Sequence, residues 1–393
     1  MAWQEGAAGA VFAVTFLLLA LGRIGHLPLP RGAAGLAGGV LTALLLRVSP
    51  KVIDLDVIFL IVGLMGLAAL AEQAGLFAGL RRRLDRLGPR TALVVCIVLM
   101  AGTSAILLND AAVVVLIPFL LPGLRRLGLP PVRSVVLLAV AANLGSLLTP
   151  FGNPQNAVLA SAAGLTVGDF LLAQGAVVAF GLLVLALACR LTPVGAPLGE
   201  AVPPAAPRGR PWVLVCIAAF VVLAVLQPLG LAVGTAAVLV MLLAWVGLRP
   251  LHGRGTDRAL VGSFDWNVVA LFVGMYLLTG GLPKWAPQPD LADVLSGPLR
   301  VTAVVTLLSN TIGNVPAILT LLRLDAPWTT AHAMFLVTAS TMGGALLLTG
   351  SVASLLAADQ ARKHGVEVRF LAFFRHAVPW TLPVLVAGAW LMW

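Results

Sequence analysis

The sequence predicts an all-α polytopic membrane protein made of two inverted-topology repeats, each with about five transmembrane helices, one re-entrant hairpin and one broken helix. Three observations predict this. The chain is 60% hydrophobic and only 10% charged over 393 residues. Its apolar segments recur at roughly 20 residues, the length that crosses a bilayer core. Polar stretches that break helices fall inside those segments at matched places in the two halves.

The first half, residues 1–193, opens with a run that lacks a basic leader and a small-residue cleavage site, so it reads as a retained first span at 8–25. Spans at 32–49 and 55–78 follow, then "RRRLDRLGPR", the most basic loop in the chain. The next apolar stretch, about 91–122, is too long for one span and too short for two with a turn, and basic segments flank it on both sides. It reads as a re-entrant hairpin with Asn109 and Asp110 at its tip. A broken crossing at about 132–165 and a full span at 170–189 complete the half. Residues 194–211, rich in Pro and Gly, read as a cytoplasmic linker.

The second half, 212–393, repeats the order: spans at 212–230, 231–248 and 265–283, a hairpin at about 301–322, a broken crossing at about 331–358, and a last span at 370–392. Five spans per half is an odd number, which inverts the second half relative to the first. Charge supports this, because 20 of the 25 Lys and Arg then lie on one face, assigned to the cytoplasm. Both termini are expected outside, in a bacterial inner (plasma) membrane. Echoes between the halves agree: "DLDVIFLIVGLMGL" with "DWNVVALFVGMYLL", "SAILLND" with "SNTIGNV", and "LLTPFGNPQN" with "LLLTGSVAS". Cys96, Cys189 and Cys216 are scattered without paired spacing, which argues for core packing rather than disulfides or a thiolate metal site.

Inside a bilayer, irregular backbone survives only where protein buries it or water reaches it. The breaks "LLNDAA", "NLGSLLTPFGNPQN", "SNTIGNVPA" and "GGALLLTGSVAS" therefore mark the site. Its expected substrate- or ion-binding residues are Ser104, Asn109, Asn143, Thr149, Gly152, Asn153, Gln155, Asn156, Ser309, Asn310, Thr311, Asn314, Thr349, Gly350, Ser351 and Ser354. Asn153 suits a helix N-cap and Pro154 the first helical position, with Ser351 the corresponding cap in the second half. Helices that start at mid-membrane direct free N–H groups at an oxygen-rich solute. Asp110, the acid placed deepest in the membrane, is the expected proton or cation carrier.

The enzyme motifs HExxH and GxSxG and the Walker loop are absent, and the five His residues fall at span ends or in loops. No enzymatic activity, metal or cofactor is expected, and the energy source is a gradient of H+ or Na+. A channel with the same polar breaks is the rival within the membrane class.

The segments "LLNDAAVVVLIPFLLP", "NLGSLLTPFGNPQN", "FDWNVVALFVGMYLLTGGL" and "LLSNTIGNVPAILTLL" resemble the ion transporter superfamily, which holds the arsenite permeases, the NhaD-type sodium/proton antiporters and the citrate and dicarboxylate transporters. The Asn-Asp hairpin and the Asp-Trp span are most similar to the arsenite permease branch. Ser309-Asn310-Thr311 resembles the dicarboxylate transporters, whose hairpin tips hold carboxylates and sodium, while the first tip here departs from that pattern as Leu-Asn-Asp. The resemblance implies a scaffold part formed by the early spans of each repeat, a moving transport part that bears the hairpins, and a homodimer. The expected partners are membrane lipid and a small oxyanion or hydroxylated metalloid, with no nucleic acid; a cytoplasmic ATPase partner is left open. The favoured activity is arsenite or antimonite export in exchange for protons. A sodium-coupled citrate or dicarboxylate transporter and a sodium/proton antiporter are the alternatives.

Overall fold

A computed structural model describes residues 2–21, 23–24, 27–73, 83–196, 218, 221–222, 233–248, 257, 260–262, 264–281, 297–322 and 329–392. The linker beyond residue 196, nearly all of the span expected at 212–230, and Cys216 lie outside the described residues. The described part is helical except for a two-residue antiparallel ladder, β1 (Arg23–Ile24) with β2 (Leu27–Pro28).

The first half runs α1 (Ala2–Leu21), α2 (Arg31–Leu46), α3 (Leu55–Gln73), α4 (Pro89–Ile106), α5 (Asn109–Arg126), α6 (Pro131–Ser146), α7 (Pro154–Ala163) and α8 (Val167–Arg190). Then come α9 (Val233–Leu248), α10 (Trp266–Gly280), α11 (Pro298–Ile312), α12 (Asn314–Leu321), α13 (Thr330–Gly344), α14 (Val352–Lys363) and α15 (Phe370–Leu391). Local sequence sets the boundaries. Pro occupies the first helical position of α4, α6 and α7, where its missing N–H costs nothing. A capping box of Thr166 and Asp169 starts α8, and Gly164 at φ 63° ends α7. Among the described residues α4, α8 and α15 are each long and apolar enough to cross a membrane, so the chain is an integral membrane protein.

The first hairpin is longer than the sequence implied. Its arms α4 and α5 have 18 residues each, about 27 Å at the α-helical rise. Its turn lies at Leu107 and Leu108, so Asn109 and Asp110 form the first turn of the return arm. The physical reason is hydrogen bonding: Leu107 N–H still closes the last turn of α4 on Thr103, whereas Asn109 N–H leaves the hairpin to donate to Gly152 O at 2.9 Å. The return to the starting face is explicit, because Arg126 at the end of α5 pairs with Asp85 just before α4 at 3.2 Å.

Packing follows a regular pattern. Helix α2 lies against α10 and α3 against α9; α4 packs on α6 and α11 on α13; α5 packs on α14 and α12 on α7. The α2–α10 contact depends on small residues, since a Cβ on Gly39 would overlap the backbone of Gly274, and one on Gly274 the backbone of Gly35. Basic helix ends gather on one face. There Arg133 donates to Ala188 O at 3.2 Å, Arg90 to Thr192 O at 3.2 Å, and Arg125 to His364 O at 2.7 Å.

Candidate functional site at the helix breaks

The candidate site lies where the hairpin turns between α4 and α5 and between α11 and α12 meet the breaks between α6 and α7 and between α13 and α14. In the first crossing, α6 ends at Ser146 and α7 restarts at Pro154 with Asn153 as N-cap. The intervening turn is stitched by side chains that replace the lost helical bonds: Asn156 Nδ2 donates to Ser146 O at 2.8 Å and to Thr149 O at 3.0 Å. Asn153 Nδ2 donates to Ser146 Oγ at 2.5 Å, and Thr149 Oγ1 to Ala105 O at 2.6 Å. A Cβ on Gly152 would overlap the Ser146 backbone, so only Gly lets the turn fold back this closely.

Two polar clusters then join the halves of the chain. In the first, Asn143 Oδ1 accepts from Asn109 Nδ2 at 3.2 Å and from Ser351 Oγ at 3.0 Å, while Asn143 Nδ2 is fixed on Ala139 O. In the second, Gln155 Nε2 donates to Thr341 Oγ1 at 3.2 Å and, with the Asn314 amide assigned the orientation that satisfies its neighbours, to the Asn314 side-chain oxygen at 3.2 Å. The Asn314 amide nitrogen meets Gly350 O and Ser340 O. Asn109, Asn143, Gln155, Ser351 and Thr341 are all at least 97% buried, so each unpaired group would carry its full desolvation cost. Neither Asn153 nor Ser351 uses its side chain as a local cap. Both are N-caps by backbone position, as expected, but their side chains bond to Ser146 and Asn143 respectively.

Asp110 sits beside the first cluster, 95% buried, with its own N–H on Asn109 Oδ1 at 2.8 Å. Its carboxyl faces the N–H of Ala353, in the first turn of α14. Among the described residues no Lys, Arg or His forms an ion pair with it. The positive end of α14 and the surrounding amides are its local compensation.

Ser104 Oγ donates to Ala142 O at 2.5 Å and holds α4 on α6 rather than facing a solute. Asn310 Nδ2 bridges Thr306 O and Gly343 O, both at 2.8 Å, and its Oδ1 has no partner; a Cβ on Gly350 would collide with it. Ser309 Oγ, Ser354 Oγ and Asn156 Oδ1 are also buried without partners. Thr349 is buried. Thr311 is not brought into the site: it is exposed and its hydroxyl is spent on Leu307 O and Leu308 O of its own helix. Ser146 and Thr341 are participants that the sequence reading missed. Ser146 lay inside a quoted break, three residues from Asn143, whereas Thr341 falls just before the segment where the second break was placed.

Among the described residues no group of three or more His, Cys, Asp or Glu side chains could hold a metal ion, and Cys96 and Cys189 are buried free thiols. Paired helix breaks lined by amides and hydroxyls around one buried acid define a polytopic membrane transporter. The chain belongs to the citrate transporter family (CitMHS), whose family model matches residues 16–331. It is 31% identical over 334 residues to the inner membrane protein YbiR of Escherichia coli (strain K12), covering 82% of this chain and 84% of that one. It is 26% identical over 468 residues to the silicon efflux transporter LSI3 of Oryza sativa subsp. japonica, covering 96% and 95% of the two chains. A shorter match, 30% over 151 residues, joins 37% of this chain to 27% of the putative transporter arsB of Dictyostelium discoideum.

Proposed function

We propose that this transporter exports a small uncharged metalloid hydroxide, arsenite or antimonite, in exchange for protons. The observation that carries the reading is Asp110: a buried acid without a cationic partner among the described residues, next to the Asn109 amide and facing the Ala353 N–H. At neutral pH arsenite is mostly As(OH)3, a solute that donates hydrogen bonds and carries no charge, so the site needs no Arg or Lys to hold it. A relative named for silicon efflux points the same way, because silicon in neutral water is chiefly the uncharged hydroxide Si(OH)4. The solute's O–H groups donate to ionised Asp110, with Asn109, Asn143, Gln155 and Ser351 around it. A proton arriving on Asp110 removes the charge and one of the two acceptor oxygens, which weakens the hold and releases the solute.

Supporting the architecture, the pairing of α2 with α10 is matched by that of α9 with α3, and the pairing of α5 with α14 by that of α12 with α7, as two halves of matching element order would produce. In this reading α2, α3, α9 and α10 form the scaffold, and the hairpins with the broken crossings move past it. The face that gathers Arg90, Arg125 and Arg133 is cytoplasmic by the positive-inside rule, and the protein works as a homodimer in a bacterial inner membrane with both termini outside.

The test is flux into inverted proteoliposomes. Arsenite uptake driven by an imposed proton gradient and lost in Asp110→Asn supports the reading; uptake by Asp110→Asn with the parent pH profile refutes it. A second reading, sodium-coupled carboxylate transport, draws on the family's own name and on the unpartnered oxygens of Asn156, Ser309, Asn310 and Ser354, which suit a hard cation. It predicts citrate or succinate uptake that requires sodium. Sodium flux without any anion would instead indicate a sodium/proton antiporter, and flux that no gradient can drive uphill a channel.

A further inference from the structure

Among the described residues, the most densely paired charged groups away from the breaks lie where the last turns of α14 meet the first turns of α2 and α10. Asp265, the N-cap of α10, gives one carboxylate oxygen to Asn267 N–H at 3.2 Å, as a cap should. Its other oxygen accepts from Gln360 Nε2 at 3.1 Å and pairs with Lys363 Nζ. Asn267 reaches both ways: Nδ2 donates to Asp359 Oδ2 at 2.8 Å, and Oδ1 accepts from Gly32 N–H at 2.9 Å. Arg362 donates to Asp359 Oδ1 at 2.7 Å and to Leu29 O at 3.4 Å. Arg31, 95% buried, donates to Leu19 O and lies within electrostatic range of Asp359.

Among the described residues, the matching acids of the other half make no such joint. By the echo of "DLDVIF" with "DWNVVA", Asp54 and Asp56 stand where Asp265 and Asn267 stand. Asp54 only caps its own helix, accepting from Asp56 N–H and Val57 N–H at 3.0 and 3.2 Å. Asp56 is spent inside the scaffold on Gly234 N–H and Thr235 N–H. The last residues of α7, Ser161-Ala162-Ala163, carry no charge. Among the described residues, one broken crossing is therefore tied to the scaffold by ion pairs and the other is not.

We propose that Asp265, Asn267, Asp359, Arg362 and Lys363 form an ionic latch that clamps the far end of α14 to scaffold helices α2 and α10 and opens whenever that crossing moves; this rests on the reading of a mobile transport part. The division of exposure suits a latch. The acids are buried, with Asp359 and Asp265 side chains only 2% and 10% exposed, while Arg362 and Lys363 keep 33% and 45% of their surface in solvent. The cations can rehydrate as the pairs separate, so opening does not strand all the charges in a dry interior. Helix α14 is a 12-residue rod, about 18 Å long, whose other end presents Ser351 to Asn143 and Ala353 N–H to Asp110. Latch and solute site are the two ends of one rigid element.

The test uses the full-length protein in sealed vesicles of defined orientation. Asp265→Asn keeps an oxygen for the helix cap but removes the ion pair together with the oxygen that accepts from Gln360 Nε2, and Lys363→Gln removes the same pair while leaving that oxygen in place. The reporter is maleimide labelling of Ser354→Cys, a position fully buried when the latch is closed, read against the parent that retains only the native cysteines. Faster labelling in both latch variants, by about tenfold, supports the latch, as loss of one strong pair would produce. Labelling within twofold of the parent in both, with thermal stability retained, overturns it. Arsenite flux in the same variants without the reporter separates the two claims: no flux in any protein refutes the transport reading, while labelling still decides the latch.

Discussion

Replacing Gly145 by Ala tests whether close contact between α4 and α6 holds the first break in shape. A Cβ at Gly145 would lie 2.5 Å from both the carbonyl carbon and the Cα of Ala101, and closer still to its carbonyl oxygen. These are backbone atoms, so relief requires moving one helix off the other. Overpacking of this kind costs about 1–3 kcal/mol, and a clash with the Ala101 backbone rather than with a movable side chain places Gly145 in the upper half of that range. Ala in place of Gly in a helix returns about 1 kcal/mol, leaving a net loss of about 1–2 kcal/mol. Gly102, in the adjoining helix, is the internal control, because nothing lies within 4 Å of its added Cβ. Thermal unfolding in detergent should therefore show Gly145→Ala melting a few degrees below the parent and Gly102→Ala at or above it. Because Gly145 sits between Asn143 and Ser146, solute-induced stabilisation should weaken in the first variant and persist in the second. Equal melting temperatures for the two variants would refute the packing argument.

Two further outcomes follow from the same structure. Asn143→Ala removes the acceptor shared by Asn109 and Ser351 and leaves both donors buried; a loss of about 1–3 kcal/mol is expected, with arsenite protection from thermal unfolding abolished. His364, in the turn after α14, has its imidazole held below the usual 6.5 by burial first and by Arg125 and Lys363 second. The unfolded chain then binds that proton more readily, so the stability owed to neutral His364 is complete above pH 6.5 and declines as the pH falls below it. Melting temperature against pH should flatten over that interval in His364→Gln.

The membrane class and, among the described residues, the places where helices break were legible in the sequence because they follow from local chemistry. Apolar length fixes the spans, and Asn153-Pro154 restarts a helix whatever surrounds it. The partners of those breaks were not legible. Ser351 meets Asn143 across 208 residues, and Gln155 meets Thr341 across 186, so no local pattern announces either pair. Local reading also placed Asn109 and Asp110 one step too early, at the hairpin tip, because Gly152 O, which draws Asn109 N–H away from α4, is remote in sequence. The latch escaped for a related reason. "AADQARK" looks like a solvated helix end, and only the arrival of Asn267 and Asp265 from α10 turns Asp359 and Gln360 into buried groups. Thr311 failed in the opposite sense, since its place in the Ser-Asn-Thr run resembled a ligand while its helical phase points it outward.

At this site the identity of the solute and the sign of proton coupling are a single question. A metalloid hydroxide offers O–H donors, and the acceptor that suits them is the ionised carboxylate of Asp110. Solute and proton then compete, and exchange follows. A carboxylate solute offers acceptors alone, so it would need Asp110 neutral or a cation beside it, and cotransport would follow. Arsenite binding should accordingly weaken as the pH is lowered through the range in which Asp110 takes up its proton, and this dependence should vanish in Asp110→Asn. Isothermal titration at a series of pH values, with the protein in detergent, measures both. Arsenite binding that strengthens on acidification would refute exchange through Asp110, because a protonated carboxyl keeps only its weaker carbonyl acceptor and turns its other oxygen into a donor.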